Sequence, residues 1–145
     1  MFLMDFLTGT SRKDTNIAAL DTDPDWLLGV HKTYSAMPHV NMHVYSYPKD
    51  KAKFLGSCNK YDILMVDHVL GGDNGANIVI QLFEEGFMGK TVILSDKYNK
   101  EYSGFSYYKN KQDILTNPQT ILELNGTSVD QAVEAVFLLN TIVRG

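Results

Sequence analysis

The chain has 145 residues, of which 44% are hydrophobic and 21% are charged. This length and composition fit one compact domain with its own core and leave little room for a second. With 17 acidic and 13 basic residues the formal net charge is −4, and the sequence has no lysine and arginine cluster that would follow a phosphate backbone. We therefore do not expect direct binding to nucleic acid.

The chain carries one cysteine, Cys58, and no apolar run near the roughly 20 residues that a membrane-spanning helix needs. A single cysteine excludes an intramolecular disulfide, which favours a reducing compartment. The first residues are apolar but include Asp5 and lack a basic leader, so they do not match a secretory signal. We expect a cytoplasmic protein, with an N-terminal extension at residues 1–15 and one domain at residues 16–145.

The domain alternates short apolar runs with segments whose apolar residues recur at helical spacing. The predicted strands are residues 17–20, 40–45, 61–66, 91–95 and 120–124, and the predicted helices are residues 24–37, 49–58, 75–87 and 129–143. Pro24 suits the first turn of a helix, and Asp23 suits its N-cap. Residues 96–119, rich in Tyr, Lys and Asn, are expected to hold a poor helix and a long loop.

Strands that alternate with helix-length connections indicate a parallel sheet with helices on both faces. We therefore predict an α/β fold with a doubly wound, five-stranded parallel sheet. The last strand has an alternative position at residues 105–108. That position leaves few residues after Ser95 for a helix and two turns, so residues 120–124 are preferred.

Polar residues follow four of the predicted strands, where the carboxyl ends of parallel strands meet at one edge of the sheet. These residues are Asp21 and Asp23, then Asp67, Ser95 and Asn125. Clustered carboxylates repel unless a cation or a proton offsets their charge, and Mg²⁺ prefers such oxygen ligands. A carboxylate held there can attack a phosphoryl group. The plainer interpretation is that the acids cap a helix and the serine satisfies a strand end.

The sequence resembles the receiver domains of two-component response regulators across residues 16–143. Four stretches carry the resemblance: residues 17–24, 61–67, 71–75 and 92–95. The resemblance implies a flavodoxin-like sheet in which Asp67 accepts a phosphoryl group from a histidine kinase and Ser95 responds to it. It also implies a Mg²⁺ site formed by the paired acids that begin with Asp21, by Asp67 and by the backbone carbonyl of Val69.

Several positions depart from the family's pattern, and three of them change the charges at the site. Thr22 stands where a second acid is usual, so Asp23 would have to reach across to the metal, and Asp96 adds a negative charge beside the site. The lysine that normally pairs with the acceptor falls on Asn125 or, with the alternative last strand, on Lys109; Asn125 is preferred. Receivers with such departures are called atypical receivers or pseudo-receivers. The departures predict a weakened metal site.

The resemblance implies two functions. The first is a signalling receiver with Asp67 as phosphoacceptor and Mg²⁺ as cofactor. Its partner is a histidine kinase or another signalling protein. Such a receiver is no enzyme, beyond its own phosphorylation from a phosphodonor. The second is a pseudo-receiver that docks partners or forms a homodimer without phosphotransfer, as in pilus-localisation proteins of the TadZ/CpaE kind. A flavodoxin-like cofactor carrier is disfavoured, because no Gly-rich phosphate loop follows the first strand.

Overall fold

The structure is a computed structural model that describes residues 14–96 and 108–126. In chain order its elements are β1 (Thr15–Asp21), α1 (Pro24–Ser35), β2 (Val40–Ser46), α2 (Lys51–Gly56), a 3-10 helix (Cys58–Lys60), β3 (Ile63–Asp67), β4 (Val69–Leu70), β5 (Asp73–Asn74), α3 (Gly75–Glu84), β6 (Lys90–Ser95), β7 (Tyr108–Asn110), α4 (Lys111–Thr116), α5 (Gln119–Leu122) and a second 3-10 helix (Glu123–Gly126). The predicted closing helix at residues 129–143 and residues 1–13 of the predicted extension lie outside the described residues.

Five strands form one parallel sheet in the order β2-β1-β3-β6-β7. The chain therefore builds outward from β1 to one side and then from β3 to the other, which is the order of a doubly wound sheet. β4 and β5 form a separate two-stranded hairpin directly after β3. The predicted fold class, a doubly wound sheet of five parallel strands, is confirmed.

Alternate residues of the central strands face opposite sides of the sheet, and helices cover both sides. One side packs Ile17, Ala19, Ile63, Met65, Val92 and Leu94 against residues of α1, α4 and α5. The other side packs Ala18, Leu20, Leu64 and Val66 against residues of α2 and α3. Because both faces are buried, β1, β3 and β6 contain nearly continuous apolar runs, and this is why these three strands were predicted from the sequence. The edge strand β2 is only partly buried and was predicted from its alternation of apolar and polar residues.

The fifth strand of the sheet is β7, and the prediction of a strand at residues 120–124 is wrong. These residues belong to α5 and to the second 3-10 helix. Ile121 and Leu124 are both buried in the core that contains α1. Their separation of three residues places them on one face of a helix, whereas in a strand they would point to opposite sides of the sheet.

The alternative position of the last strand is nearer to the structure. It shares Tyr108 with β7, which lies level with Ile93 of β6, while residues 105–107 lie outside the described residues. At most twelve residues, 96–107, separate β6 from β7 along the chain, close to the minimum of about ten to twelve residues for a parallel crossover. The prediction failed because it assumed a longer connection.

A tyrosine on α1 ties the chain after β7 to the rest of the domain. Tyr34 is fully buried, and its hydroxyl donates a hydrogen bond to the carbonyl oxygen of Ile114 in α4 over 2.8 Å. This bond and the shared core place α4 beside α1, on the same side of the sheet. Among the described residues, no helix is long and apolar enough to cross a membrane.

Candidate functional site

The carboxyl ends of β1, β3 and β6 bring Asp21, Asp67 and Ser95 to one edge of the sheet. Leu20 is level with Val66, so Asp21 and Asp67 follow at the same height on neighbouring strands. Asp67 is in turn level with the residue that precedes Ser95. Asp21 is fully buried and Asp67 is 7% exposed, so two acids share a dry environment in which they repel unless a cation or a proton is present.

Lys111 supplies that cation. Its Nζ lies 2.7 Å from Oδ2 of Asp21 and 3.7 Å from Oδ2 of Asp67, and the side chain is 3% exposed. Asp96, whose side chain is 78% exposed, places Oδ1 3.5 Å from the same Nζ. The ring of Trp26 lies below the ammonium, with its centroid 4.7 Å from Nζ, a distance at which a cation is attracted to an indole face.

Lys111 corrects the predicted position of the lysine, because neither Asn125 nor Lys109 lies there. Asn125 lines a cleft together with Asp62 and Lys90, which lie at the amino ends of β3 and β6 and therefore at the opposite edge of the sheet. Lys109 is the middle residue of β7, and among the described residues the ion pairs to the strand-end acids come from Lys111.

A helix that begins directly after β7 places Lys111 at the site. The side chain of Asn110 caps α4 by accepting hydrogen bonds from the backbone N–H groups of Gln112 and Asp113. Lys111 is the first residue of this helix. The pattern of an Asn followed three residues later by an acid marks a helix start and was visible in the sequence. It was missed because residues 96–119 were expected to hold only a poor helix and a long loop, with no helix start assigned.

The environment of Asp67 favours its protonated form. Burial is the largest cause, and together with the negative charge of Asp21 it raises the pKa of Asp67 to about 7. The charge of Lys111 acts in the opposite direction, and Asp96 adds a smaller upward effect. The backbone N–H of Val69 also donates a hydrogen bond to the carboxylate and lowers the pKa. Near neutral pH Asp67 therefore exists in both charge states.

The acids fit a Mg²⁺ ion poorly. Oδ1 of Asp21 accepts the backbone N–H of Asp23 over 2.9 Å, and Oδ2 contacts Lys111. Asp23 is exposed and caps α1, with Oδ1 accepting from the N–H groups of Asp25 and Trp26. The side chain of Asp23 is thus used as a helix cap and does not take the place of the second acid, whose position Thr22 fills. Among residues 14–96 and 108–126, no group of three or more His, Cys, Asp or Glu side chains is placed to hold a metal ion.

The loop after Asp67 is fixed by a hairpin and a glycine. Gly71, at a φ of +59°, makes the turn between β4 and β5, and Asp73 at its far side accepts a hydrogen bond from Lys51 of α2 over 3.0 Å. Gly75 begins α3, and a Cβ there would lie 2.3 Å from the carbonyl oxygen of Asp67. Only a residue without a side chain allows α3 to begin this close to β3.

A second polar contact joins the site to β7 and was not expected from the sequence. The hydroxyl of Tyr108 lies 2.9 Å from Nδ1 of His68, the residue after Asp67, and their rings meet edge to face. Burial lowers the pKa of His68 and favours the neutral ring. Tyr108 is itself buried, so this pair connects the loop that carries Asp67 with the last strand of the sheet.

Three solved structures share this arrangement of strands and helices. The signal receiver domain of NarL from Mycobacterium tuberculosis matches with a TM-score of 0.64 at 14% identity, over 79% of this chain and 98% of that one. The response regulator domain of Thermotoga maritima CheB matches with a TM-score of 0.64 at 8% identity, over 81% and 100% of the two chains. The RcsB response regulator from Salmonella typhimurium matches with a TM-score of 0.64 at 17% identity, over 89% and 68%.

The chain has the fold of a response-regulator receiver domain. No family model matches the sequence, and no curated protein matches it. At identities of 8% to 17% the likeness is one of fold, so the roles of residues in this receiver fold are argued from their geometry.

The first prediction concerns the close approach of α3 to Asp67. Gly75→Ala is expected to destabilise the receiver fold by about 1 to 3 kcal/mol, because the new methyl group must displace the backbone of Asp67 or of α3. Gly72→Ala is the matched control, since its Cβ would meet no atom within 4 Å, and it should change stability by less than about 0.5 kcal/mol. Urea unfolding of the two variants measures the difference, and equal effects would contradict the placement of α3.

The second prediction concerns the raised pKa of Asp67. Because the folded protein binds this proton more tightly than the unfolded chain does, the contribution of Asp67 to stability is greatest below its unfolded pKa and is lost as pH rises through about 7. The fall should not exceed about 1.4 kcal/mol per pH unit for one group. Asp67→Asn should remove this part of the pH dependence and be more stable than wild type above neutral pH. Urea unfolding from acid to alkaline pH tests this, and a variant with an unchanged pH profile would contradict it.

Proposed function

We propose that this chain is a receiver-type signalling domain in which Asp67 accepts a phosphoryl group and the change is passed on through protein contacts. The observation that supports the proposal most is Lys111, whose Nζ lies 3.7 Å from Oδ2 of Asp67. An acceptor carboxylate with an ammonium beside it at the end of β3 is the arrangement that the resemblance implies. The gravest departure in the sequence, the loss of this lysine, therefore no longer counts against the proposal.

The proposed reaction uses three groups of this chain: the carboxylate of Asp67, the ammonium of Lys111 and the hydroxyl of Ser95. A carboxylate oxygen of Asp67 attacks the phosphorus of the donor, the bond from phosphorus to the leaving group breaks, and the leaving group departs with the electron pair. The ammonium of Lys111 offsets negative charge on the phosphoryl oxygens. We assign Ser95, at the end of β6, as the hydroxyl that contacts one of these oxygens. The ionised form of Asp67 is the reactive one.

In this proposal the donor is a histidine kinase or another signalling protein in the cytoplasm, and the chain itself turns over no substrate. We assign no step to Mg²⁺, because Asp21 is already paired with Lys111 and Asp23 caps α1. Output then depends on how a phosphoryl group changes the contacts of Lys111 and of the loop after Asp67.

A docking module without phosphotransfer is the second candidate, and a specific observation favours it. Asp21 is fully buried, with Oδ2 2.7 Å from the ammonium of Lys111, and burial together with the charge of Asp21 raises the pKa of Asp67 to about 7, which disfavours its ionised form. Both features disfavour the attack on phosphorus. In this case the chain would bind a partner protein or a second copy of itself in one fixed state.

Phosphotransfer is tested with acetyl phosphate, a small donor whose leaving group is acetate. We expect the wild-type chain to gain the mass of one phosphoryl group and to lose it on treatment with hydroxylamine, which cleaves acyl phosphates. Asp67→Asn should gain nothing, because its amide is not a nucleophile. Lys111→Met should lose most of the signal, whereas Lys109→Met, which removes the same charge from the neighbouring strand, should retain it.

Intact mass spectrometry, with and without Mg²⁺, gives the readout. No mass gain at millimolar donor in either condition would refute phosphotransfer and favour the docking module. A mass gain that persists in Asp67→Asn would show that the acceptor lies elsewhere.

A further inference from the structure

A short hairpin follows the strand that ends in Asp67. Its two strands, β4 and β5, have two residues each, and Leu70 lies level with Asp73. Two paired strands of this length have little stability of their own in water. Contacts with the rest of the domain must therefore fix the position of the hairpin.

The base of the hairpin is anchored in the domain. The N–H of Gly75 donates a hydrogen bond to the carbonyl oxygen of His68 over 2.8 Å. Leu70 is fully buried and packs in the core cluster that contains residues of α2 and α3. Val69, the other residue of β4, is 65% exposed, so its side chain contributes little to holding the strand in place.

The outer strand of the hairpin is held by Asp73, which joins β5 to the start of α2. Its Oδ2 accepts hydrogen bonds from Nζ of Lys51 over 3.0 Å and from the hydroxyl of Tyr47 over 3.3 Å, while Oδ1 accepts the N–H of Asn74 over 2.9 Å. The side chains of Lys51 and Asp73 are 32% and 18% exposed, so the ion pair is partly shielded from solvent. Three donors on one carboxylate make this contact stronger than an isolated surface ion pair.

The charge state of Asp73 agrees with this geometry. Burial alone raises the pKa of Asp73, but the hydrogen bonds from the N–H of Asn74, from Lys51 and from Tyr47, with the charge of Lys51, outweigh burial and lower it. The carboxylate is therefore ionised at neutral pH, and the ion pair with Lys51 is present there.

The hairpin also carries a hydrogen-bond donor to Asp67. The backbone N–H of Val69 donates to the carboxylate of Asp67. Val69 precedes Leu70, which lies level with Asp73, so this donor is one residue away from the pair of residues that Lys51 anchors. Movement of β5 away from α2 would displace the N–H from Asp67. A carboxylate that a backbone donor fixes keeps a constant orientation for attack.

We propose that Asp73 is a positioning residue, whose contacts with Lys51 and Tyr47 hold the hairpin so that the N–H of Val69 remains on the carboxylate of Asp67. Asp73 acts through the backbone of the hairpin. The consequence for the reaction rests on the proposed function: the fixed N–H keeps Asp67 oriented toward the phosphoryl donor.

The first measurement is the hydrogen exchange of the Val69 amide, followed by NMR on the full chain. In Asp73→Asn and Lys51→Met this amide should exchange about fivefold or more faster than in wild type, because its hydrogen bond is formed less often. The amide proton signal should also shift. The rate is compared with those of the β1 amides in the same sample, which correct for any loss of global stability.

Two variants of α2 provide the controls. Lys51→Arg retains the cation and should restore the wild-type exchange of the Val69 amide. Lys53→Met removes the same charge from an exposed position of the same helix and should behave like wild type. Tyr47→Phe removes one of the donors to Asp73 and serves if Asp73→Asn does not fold; its effect should have the same direction and be smaller.

The second measurement is the rate at which acetyl phosphate adds mass, at one pH well above neutrality so that Asp67 is ionised. Asp73→Asn and Lys51→Met should react at least about threefold more slowly than wild type, and Lys51→Arg should react at the wild-type rate.

An unchanged Val69 amide in Asp73→Asn overturns the proposal, and so does a faster amide exchange with an unchanged reaction rate. If wild type gains no mass, the proposed function fails, whereas the Val69 amide still decides whether Asp73 holds this donor in place. The two failures are therefore distinguishable.

Discussion

The buried ion pair between Lys111 and Asp21 is the interaction on which the site depends. β1 and β7 are not neighbours in the sheet, because β3 and β6 lie between them. The side chain of Lys111 nevertheless reaches Asp21 with a contact of 2.7 Å, and it passes within 3.7 Å of Asp67 on the strand between. One ammonium at the start of α4 thus contacts the carboxylate that ends β1 and lies close to the carboxylate of Asp67 that ends β3.

Such a pair stabilises the site, but it also makes the site sensitive to the loss of either partner. The desolvation of two buried charges offsets much of their attraction, but removal of one partner leaves the other charge buried and alone. With Lys111 in place, the repulsion between Asp21 and Asp67 is compensated enough for both to lie at the end of the sheet. Trp26 adds an indole face on one side of the ammonium.

The central strands and α1 were predictable because their residues carry strong, local patterns. The strand ending in Asp67 is apolar throughout since helices cover both of its faces, and Asp23 with Pro24 marks the start of α1 as the structure has it. β7 was missed because it has three residues, Tyr108–Asn110, and none is aliphatic. Tertiary pairing with β6 alone makes it a strand. Because the lysine was expected directly after the last strand, the wrong position of this strand also gave a wrong position for the lysine.

The fold of this chain and its chemistry depend on different residues. Likeness to receiver domains at 8% to 17% identity reflects a shared sheet and shared connections, whereas the chemistry depends on three or four side chains at one edge. Here Asp67 ends β3, Lys111 lies beside it and Ser95 ends β6, while Thr22 stands where the resemblance implies a second acid. The chain therefore has a receiver fold in which the ammonium of Lys111 lies beside both strand-end carboxylates.

The most direct test of this account is the energetic coupling between Lys111 and Asp21. A double-mutant cycle of Lys111→Met and Asp21→Asn, measured by urea unfolding, isolates the interaction from the effects of each change alone. The account predicts that Lys111→Met costs at least 1 kcal/mol more, as a rough figure, in the presence of Asp21 than in its absence. Additive effects of the two substitutions, equal to those of Lys109→Met combined with Asp21→Asn, would contradict it.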